Sequence, residues 1–253
     1  MKNEHRVDIL TSRDIEQCFD QGESAMLDSM RQGATILIDK PEGWTSFDVV
    51  NKLKKSFKIK KVGHTGTLDP MATGLLIIST AVKTKEIKIF VDLDKTYTGK
   101  IKLGESTASY DADTEVIERK PFSDITRSMI EDAVSSMTGV IDQIPPMYSA
   151  LKKHGKPLYK LARKGIEIDR EPRSVTIHEF EIIDSDIPWV AFRIRCSKGT
   201  YIRSIAHDLG TLLKTGGHLT ELRRTAIGPY SVKDAVTVDQ LNELRNRLQR
   251  NYV

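Results

Sequence analysis

Asp69 stands in the run Gly63-His64-Thr65-Gly66-Thr67-Leu68-Asp69-Pro70-Met71-Ala72-Thr73-Gly74, a stretch that regular structure does not easily occupy. Its three glycines allow positive φ or close backbone approach. Pro70 fixes its own φ and pushes Asp69 out of the helical region toward an extended conformation. A carboxylate held in such a turn, beside a histidine and several hydroxyls, can serve as a nucleophile or a charge stabiliser. It can equally do no more than hydrogen-bond its own turn, as aspartates often do. The residue types alone leave both open. The spacing GxxxxGK[ST] is missing, so the run is not a phosphate-cradling loop of that kind. Leu75-Leu76-Ile77-Ile78 follows at once and reads as a short buried strand that anchors the loop.

The remaining elements must position that carboxylate. Thr35-Ile36-Leu37-Ile38 reads as a buried strand ending at Lys40, followed by a Pro41-Glu42-Gly43 turn. Thr45 then caps a helix with Asp48 at N3, and Phe47, Val50, Leu53 and Phe57 recur at helical spacing. Lys52, Lys54, Lys55, Lys58, Lys60 and Lys61 lie on its polar side and exit, facing either phosphates or plain solvent. Lys83 to Asp92 reads as a short basic helix. From Thr96 to Leu103 the alternation puts Tyr97, Gly99, Ile101 and Leu103 on one strand face, so Tyr97 points inward, as a packed ring or a site residue with a polar tip. Residues 104 to 120 fit a loop or hairpin, and 122 to 139 a helix with Ile125, Met129, Ile130, Ala133, Val134 and Met137 inside.

Pro145-Pro146 forbids a regular helix, and Lys152 to Arg173 is dense in base, Lys152 and Lys156 included, interleaved with Tyr148, His154 and Tyr159. Cations neutralise phosphates and rings stack on unpaired bases, so this mixture suits a grip on RNA; an exposed basic loop is the plainer alternative. Val190 to Ser197 alternates as a strand. Thr200 is placed to cap the next helix, whose apolar stripe is Ile202, Ile205, Ala206, Leu209 and Leu213. Arg203 falls in its first turn, where the helix dipole disfavours a cation by about 0.3–1 kcal/mol. That placement asks for a carboxylate partner or an outlet to solvent.

The strings GHTGTLDPMATG (63–74), DKPEGWTS (39–46), KTYTGKIKLG (95–104), IPPMYSALK (144–152), GTYIRS (199–204) and LTELRRT (219–225) resemble the motifs of the TruB family of tRNA pseudouridine-55 synthases. The resemblance covers roughly residues 33 to 240. It implies an α/β (α+β) fold with a mixed, mainly antiparallel central sheet flanked by helices, an active cleft across its middle, and a thumb insertion at about 143–173. It implies Asp69 as the catalytic acid, Tyr97 against the target base and Arg203 paired with Asp69. His64 would contact the region that the base vacates. Lys40, Tyr201, Leu222, Arg223, Arg224, Lys152 and Lys156 are the further candidates for substrate contact. The substrate implied is the T-arm loop of tRNA, with no cofactor, because the reaction only moves uracil from an N1 to a C5 linkage. Since the target lies in a folded loop, the nucleotide must be extruded at a cost of about a few kcal/mol.

At 253 residues the chain can bury one substantial core. The net charge of +4 is uneven, since residues 1 to 30 hold three Lys/Arg against seven Asp/Glu. A basic body behind an acidic leader suits a polyanionic partner, although many proteins reach this value without one. Cys18 and Cys196 lack CxxC spacing and the six histidines lack paired-ligand spacing, so neither a disulfide framework nor a metal is expected. No apolar run approaches the roughly 20 residues of a membrane span, and no basic-then-apolar signal pattern opens the chain. A cytoplasmic monomer is the expectation. Residues 1–32 fall outside the resemblance; with helix-compatible patches around Ile15, Phe19 and Met26 they read as an N-terminal extension with one helix packed on the body, and 33–253 read as the catalytic domain. Many relatives continue into a small C-terminal RNA-binding (PUA) domain, and this chain, stopping at Val253, is expected to lack it. Two other functional classes fit parts of the pattern. One is a catalytically silent tRNA-binding or folding module on the same scaffold. The other is an aspartate-nucleophile hydrolase, which would usually need a second carboxylate.

Overall fold

The computed structural model describes residues 9–21, 23–153 and 155–250, which fall into two compact units: residues 1–95 with 223–253, and residues 96–222. In chain order the first unit begins with β1 (Ile9–Leu10), α1 (Ser12–Gln21), α2 (Glu23–Gly33), β2 (Thr35–Lys40), α3 (Ser46–Phe57), β3 (Val62–His64) and β4 (Thr73–Thr80). A 3-10 turn (Ala81–Glu86) and α4 (Ile87–Val91) follow, where one basic helix was expected over 83–92. β4 is central. It pairs antiparallel with β2, from Thr35↔Ser79 to Lys40↔Gly74, and with β3, from Val62↔Thr80 to His64↔Ile78. Side chains alternate across a strand, and both faces of β4 are covered. Leu76 and Ile78 join α1, α2 and α3 in one core, while Leu75 and Ile77 pack with Leu37, Phe90 and Ile227 in another. Burial on both faces is why this strand reads as a continuous apolar run.

α3 keeps its expected cap: Thr45 Oγ1 accepts from the Asp48 amide, and the Asp48 carboxylate accepts from the Thr45 amide. Its inner face differs from the expectation. Val49, Val50, Leu53 and Phe57 are buried, whereas Phe47 stands 62% exposed. Phe47 shares the outward sector with Asn51 and Lys54, at i+4 and i+7, and the helix buries the opposite side. The expectation of a single helix in an N-terminal extension is also corrected. β1 pairs parallel with β2, and Ile15, Cys18, Met26, Leu27 and Met30 sit in the same core as Leu53, Phe57 and Ile78. The Phe19 side chain, read with them, and His154 lie outside the described residues.

The second unit holds most of β5 (Lys95–Leu103), then β6 (Glu105–Thr107), β7 (Val116–Arg119), α5 (Arg127–Ser136), β8 (Gly139–Gln143), β9 (Lys152–Lys153), β10 (Lys156–Pro157) and α6 (Leu158–Ala162). β11 (Arg173–Asp186), β12 (Trp189–Cys196), α7 (Ile202–Leu212) and the first part of β13 (Gly217–Ile227) complete it. Its strands run in the order β13, β5, β12, β11, β8, with β11 antiparallel to both β12 and β8. β6 and β7 form the expected hairpin. α5 starts later than expected, and of the expected inner stripe Ile130, Val134 and Met137 are buried while Met129 is 42% exposed.

The chain then re-enters the first unit at Arg223. Arg223 and Arg224 pair parallel with Thr73 and Gly74, and β14 (Tyr230–Ser231), β15 (Val236–Thr237) and α8 (Val238–Arg250) close it. Leu241, Leu244 and Leu248 of α8 pack into the core that α1 to α3 line. The pairing is mixed and mainly antiparallel, as the sequence implied. Among the described residues no helix is long and apolar enough to cross a membrane.

Candidate active site

Asp69 lies in the connection between β3 and β4, half-buried, and its backbone is held from several directions. The Ala72 amide donates to the Asp69 carbonyl (3.0 Å), closing a tight turn, and the Gly43 amide donates to the Pro70 carbonyl (2.8 Å). Ser46, at the start of α3, accepts from the Leu68 amide at 2.9 Å and returns a longer bond to the Leu68 carbonyl at 3.4 Å. Leu68 and Ala72 are buried on either side. A carboxylate whose backbone is fixed in this way keeps a set direction, which is what a nucleophile or charge stabiliser needs.

Lys40 and Arg224 fasten the loop from below. The Lys40 Nζ donates to the carbonyls of Pro41 (2.9 Å), Trp44 (2.6 Å) and Pro70 (3.3 Å). It is fully buried, so a place at an RNA-facing surface is replaced by a clasp that ties the β2 exit to the residue after Asp69. Burial pushes the Lys40 ammonium down to about 8, and the Asp69 carboxylate opposes that shift. Arg224 is buried as well, and donates to the carbonyls of Leu75 (2.7 Å) and Gly66 (3.3 Å). Arg223 forms a two-pronged pair with Asp39 at 2.6 and 3.0 Å. The His64 Nδ1 accepts from the Gly66 amide at 3.3 Å, and burial holds the imidazole below its ordinary value, in its neutral form at pH 7.

In the second unit Tyr97 is 8% exposed on the face of β5 that also carries Ile101 and Leu103, the inward direction that the alternation gave. Leu222 is buried near the end of this unit. Arg203 occupies the first turn of α7 and is buried. Its Nε lies 3.4 Å from Asp111 Oδ2, and its Nη1 and Nη2 donate to the carbonyls of Ser109 (3.2 Å) and Tyr148 (2.8 Å). Asp111 was not singled out in the sequence. It is 1% exposed and accepts from Ser109 Oγ at 2.5 Å and from the Asp113 amide at 3.0 Å. The signal was there in Arg203, a cation in a helical first turn that needed a carboxylate; the acidic 104–120 stretch held one.

The start of α7 also departs from expectation. Tyr201 is the N-cap, and Gln143 brackets it, accepting from its amide at 2.8 Å and donating to its carbonyl at 3.1 Å. Thr200 instead donates to the Ser197 carbonyl at 2.9 Å. A side-chain amide offers both a donor and an acceptor, so one residue from a distant strand holds Tyr201 by its amide and carbonyl, while no side chain caps the helix amides themselves. The basic segment leaves and re-enters the sheet at one residue pair, Gln143↔Arg173 of β8 and β11. Lys152 and Lys156 are exposed on its β9–β10 hairpin. Arg170 ties its base through the Pro145 carbonyl (3.3 Å) and Glu167 (3.1 Å).

Residues 54–202 match the family of TruB pseudouridylate synthases (N-terminal domain), and residues 203–252 match the tRNA pseudouridylate synthase B C-terminal domain. The chain is similar to a tRNA pseudouridine synthase B of Chlorobaculum tepidum, 48% identical over 87% of this chain and 93% of that one. Counterparts in Chloroherpeton thalassium (50% identical, 83% and 90% covered) and Flavobacterium johnsoniae (48%, 84% and 96%) carry the same name. Among solved structures, a Cbf5–Nop10–Gar1 complex superimposes with a TM-score of 0.70 at 27% identity, over 90% of this chain and 59% of the matched one. The chain thus spans about three-fifths of that protein. With near-half identity along almost the whole length of these relatives, the chain belongs to the TruB family of pseudouridylate synthases, isomerases that turn uridine into pseudouridine.

Proposed function

We propose that this chain isomerises uridine 55 in the TΨC loop of tRNA, with Asp69 as the nucleophile on a flipped-out base. The observation that carries the reading is the loop itself: both flanks of Asp69 are tied down by Ser46, Gly43 and Lys40 while the residue stays partly exposed. In the reaction the N1–C1′ bond breaks, uracil turns, and a C5–C1′ bond forms. The C5 proton leaves to solvent and N1 regains one, so no atom is added. Asp69 holds the detached state as an ionised carboxylate. The family resemblance assigns Tyr97 to stack on the uracil, Arg203 to keep the carboxylate charged, and His64 to the space the base leaves. A neutral imidazole suits that space, because an apolar ring face replaces a stacked base without bringing an unpaired charge. Arg223, Tyr201, Leu222, Lys152 and Lys156 are assigned to RNA contact, and Lys40 and Arg224 to holding the loop.

Release of tritium from C5-labelled uridine in a T-loop RNA tests the reading. Native protein should release it, and Asp69→Asn should bind the RNA without release. Binding without release in both would mean a silent tRNA-binding module; cleavage of the glycosidic bond would mean a hydrolase.

A further inference from the structure

The outer face of α3 takes no part in the chemistry above, yet its composition is unusual for a solvated helix. Phe47, Asn51, Lys54 and Lys55 fall within about 100° of one another at 100° per residue, and Lys58 follows as the C-cap of the helix. Phe47 is 62% exposed, and Lys55 and Lys58 are exposed with it. Surface cations elsewhere meet acids, as in Lys83–Glu86, Lys100–Glu221, Arg127–Glu131 and Arg247–Glu243. Among the described residues no side-chain hydrogen bond or ion pair engages Lys54, Lys55 or Lys58. The dipole at the C-terminal end of the helix favours cations there and accounts for part of this clustering. It does not account for an exposed aromatic at the opposite end.

The stripe also has a direction. Phe47 directly follows Ser46, whose hydroxyl grips the Leu68 amide one residue before Asp69, so the aromatic end adjoins the catalytic loop and the lysines lead away from it. From residue 47 to residue 57 the helix rises about 15 Å, and Lys58 caps its end. That distance matches about five phosphates of one duplex strand. Unpaired bases stack on aromatic rings, and lysines neutralise phosphates along a backbone.

We infer that the outer face of α3 is a second, non-catalytic RNA-binding stripe: Lys54, Lys55 and Lys58 track the sugar–phosphate backbone of the substrate outside the target loop, and Phe47 stacks on an unpaired base beside it. The inference rests on an RNA substrate but not on Asp69 as nucleophile. It has separate readouts for its two halves, because a phosphate contact is sensitive to salt and a stacking contact is not.

The test uses the full chain and a full-length tRNA transcript, with the dissociation constant measured across about 50 to 200 mM salt. The variants are Lys54→Gln/Lys55→Gln/Lys58→Gln together and Phe47→Ala alone; glutamine is a good helix former, so α3 should persist. The triple variant should bind at least about tenfold more weakly, and its log–log salt slope should fall by about 2 to 3. Phe47→Ala should lose about fivefold or more with the slope unchanged. Single-turnover tritium release at saturating RNA should stay within about twofold of native in both. A native dissociation constant and slope in the triple variant would overturn the inference and leave a solvated helix face. If native protein bound tRNA but released no tritium, the proposed function would fail, while the salt slopes would still decide this one.

Discussion

At the scale of single residues, the site is notable for charges buried beneath a loop. Lys40 is a lysine with no exposure whose ammonium is spent on three backbone carbonyls. Its folded value, about 8, lies below the ordinary 10.5, so between these values the unfolded chain holds more protons than the folded one. Stability should therefore rise with pH through that window, by at most about 3 kcal/mol, and the cost of burying the charge should be fully present below pH 8. Urea unfolding at both ends of the window, with Lys40→Met for comparison, checks this: the native protein should gain and the variant should not. Asp111 makes the opposite case, since removing its charge weakens the hold on the buried Arg203. Asp111→Asn should cost about 3 kcal/mol and lower tritium release, because the buried guanidinium loses one charged partner and shifts. A variant as stable as native would mean that the Ser109 and Tyr148 carbonyls suffice.

At the scale of elements, strands and helices are arranged so that ends, not middles, meet at the loop. β2 ends at Lys40, α3 begins at Ser46, and β4 opens at Thr73 against Arg223. Gly74 shows how tight this meeting is. Its φ is +102°, and any Cβ there would stand 2.3 Å from the Arg224 carbonyl oxygen. Gly74→Ala should thus separate β13 from β4 and destabilise by several kcal/mol, on the order of 3 or more. A thermal melt within a degree or two of native would contradict that. α3 shows what a local pattern can and cannot reveal. Its capping box was legible because Thr45 and Asp48, three residues apart, bond to each other. Its inner face was misjudged at Phe47, because an aromatic at helical spacing is assigned to the core by default and only the neighbours of the helix show which sector is covered. The same holds for Met129 on α5.

At the scale of the whole molecule, the first 32 residues change most between sequence and structure. Read as one helix packed on the body, they form a strand and two helices, and supply Ile15, Met26 and Met30 to a core shared with α3 and α8. Ile15→Ala should cost about 2–5 kcal/mol, as for a fully buried aliphatic side chain and not a surface one, and chemical denaturation measures it. A cost under about half a kcal/mol would mean that Ile15 does not contribute to that core. The helical residues around Ile15 and Met26 were legible in the sequence, but only the face left open by α3, β2 and β4 gives them their place in the core.

What the sequence determined by itself were the features written in contiguous residues: the turn around Asp69, the doubly covered strand Leu75–Ile78, the inward side of Tyr97, and the motifs in family order. These depend on backbone sterics and on periods of two or 3.6, which neighbouring residues specify. The tertiary structure alone decided that Lys40 lies beneath the loop, that Gln143 holds the start of α7, and that Asp111 answers Arg203. Each of those is a polar group taken out of water, and its partner is whichever donor or acceptor the folded chain brings within reach, at separations of 30, 58 and about 90 residues.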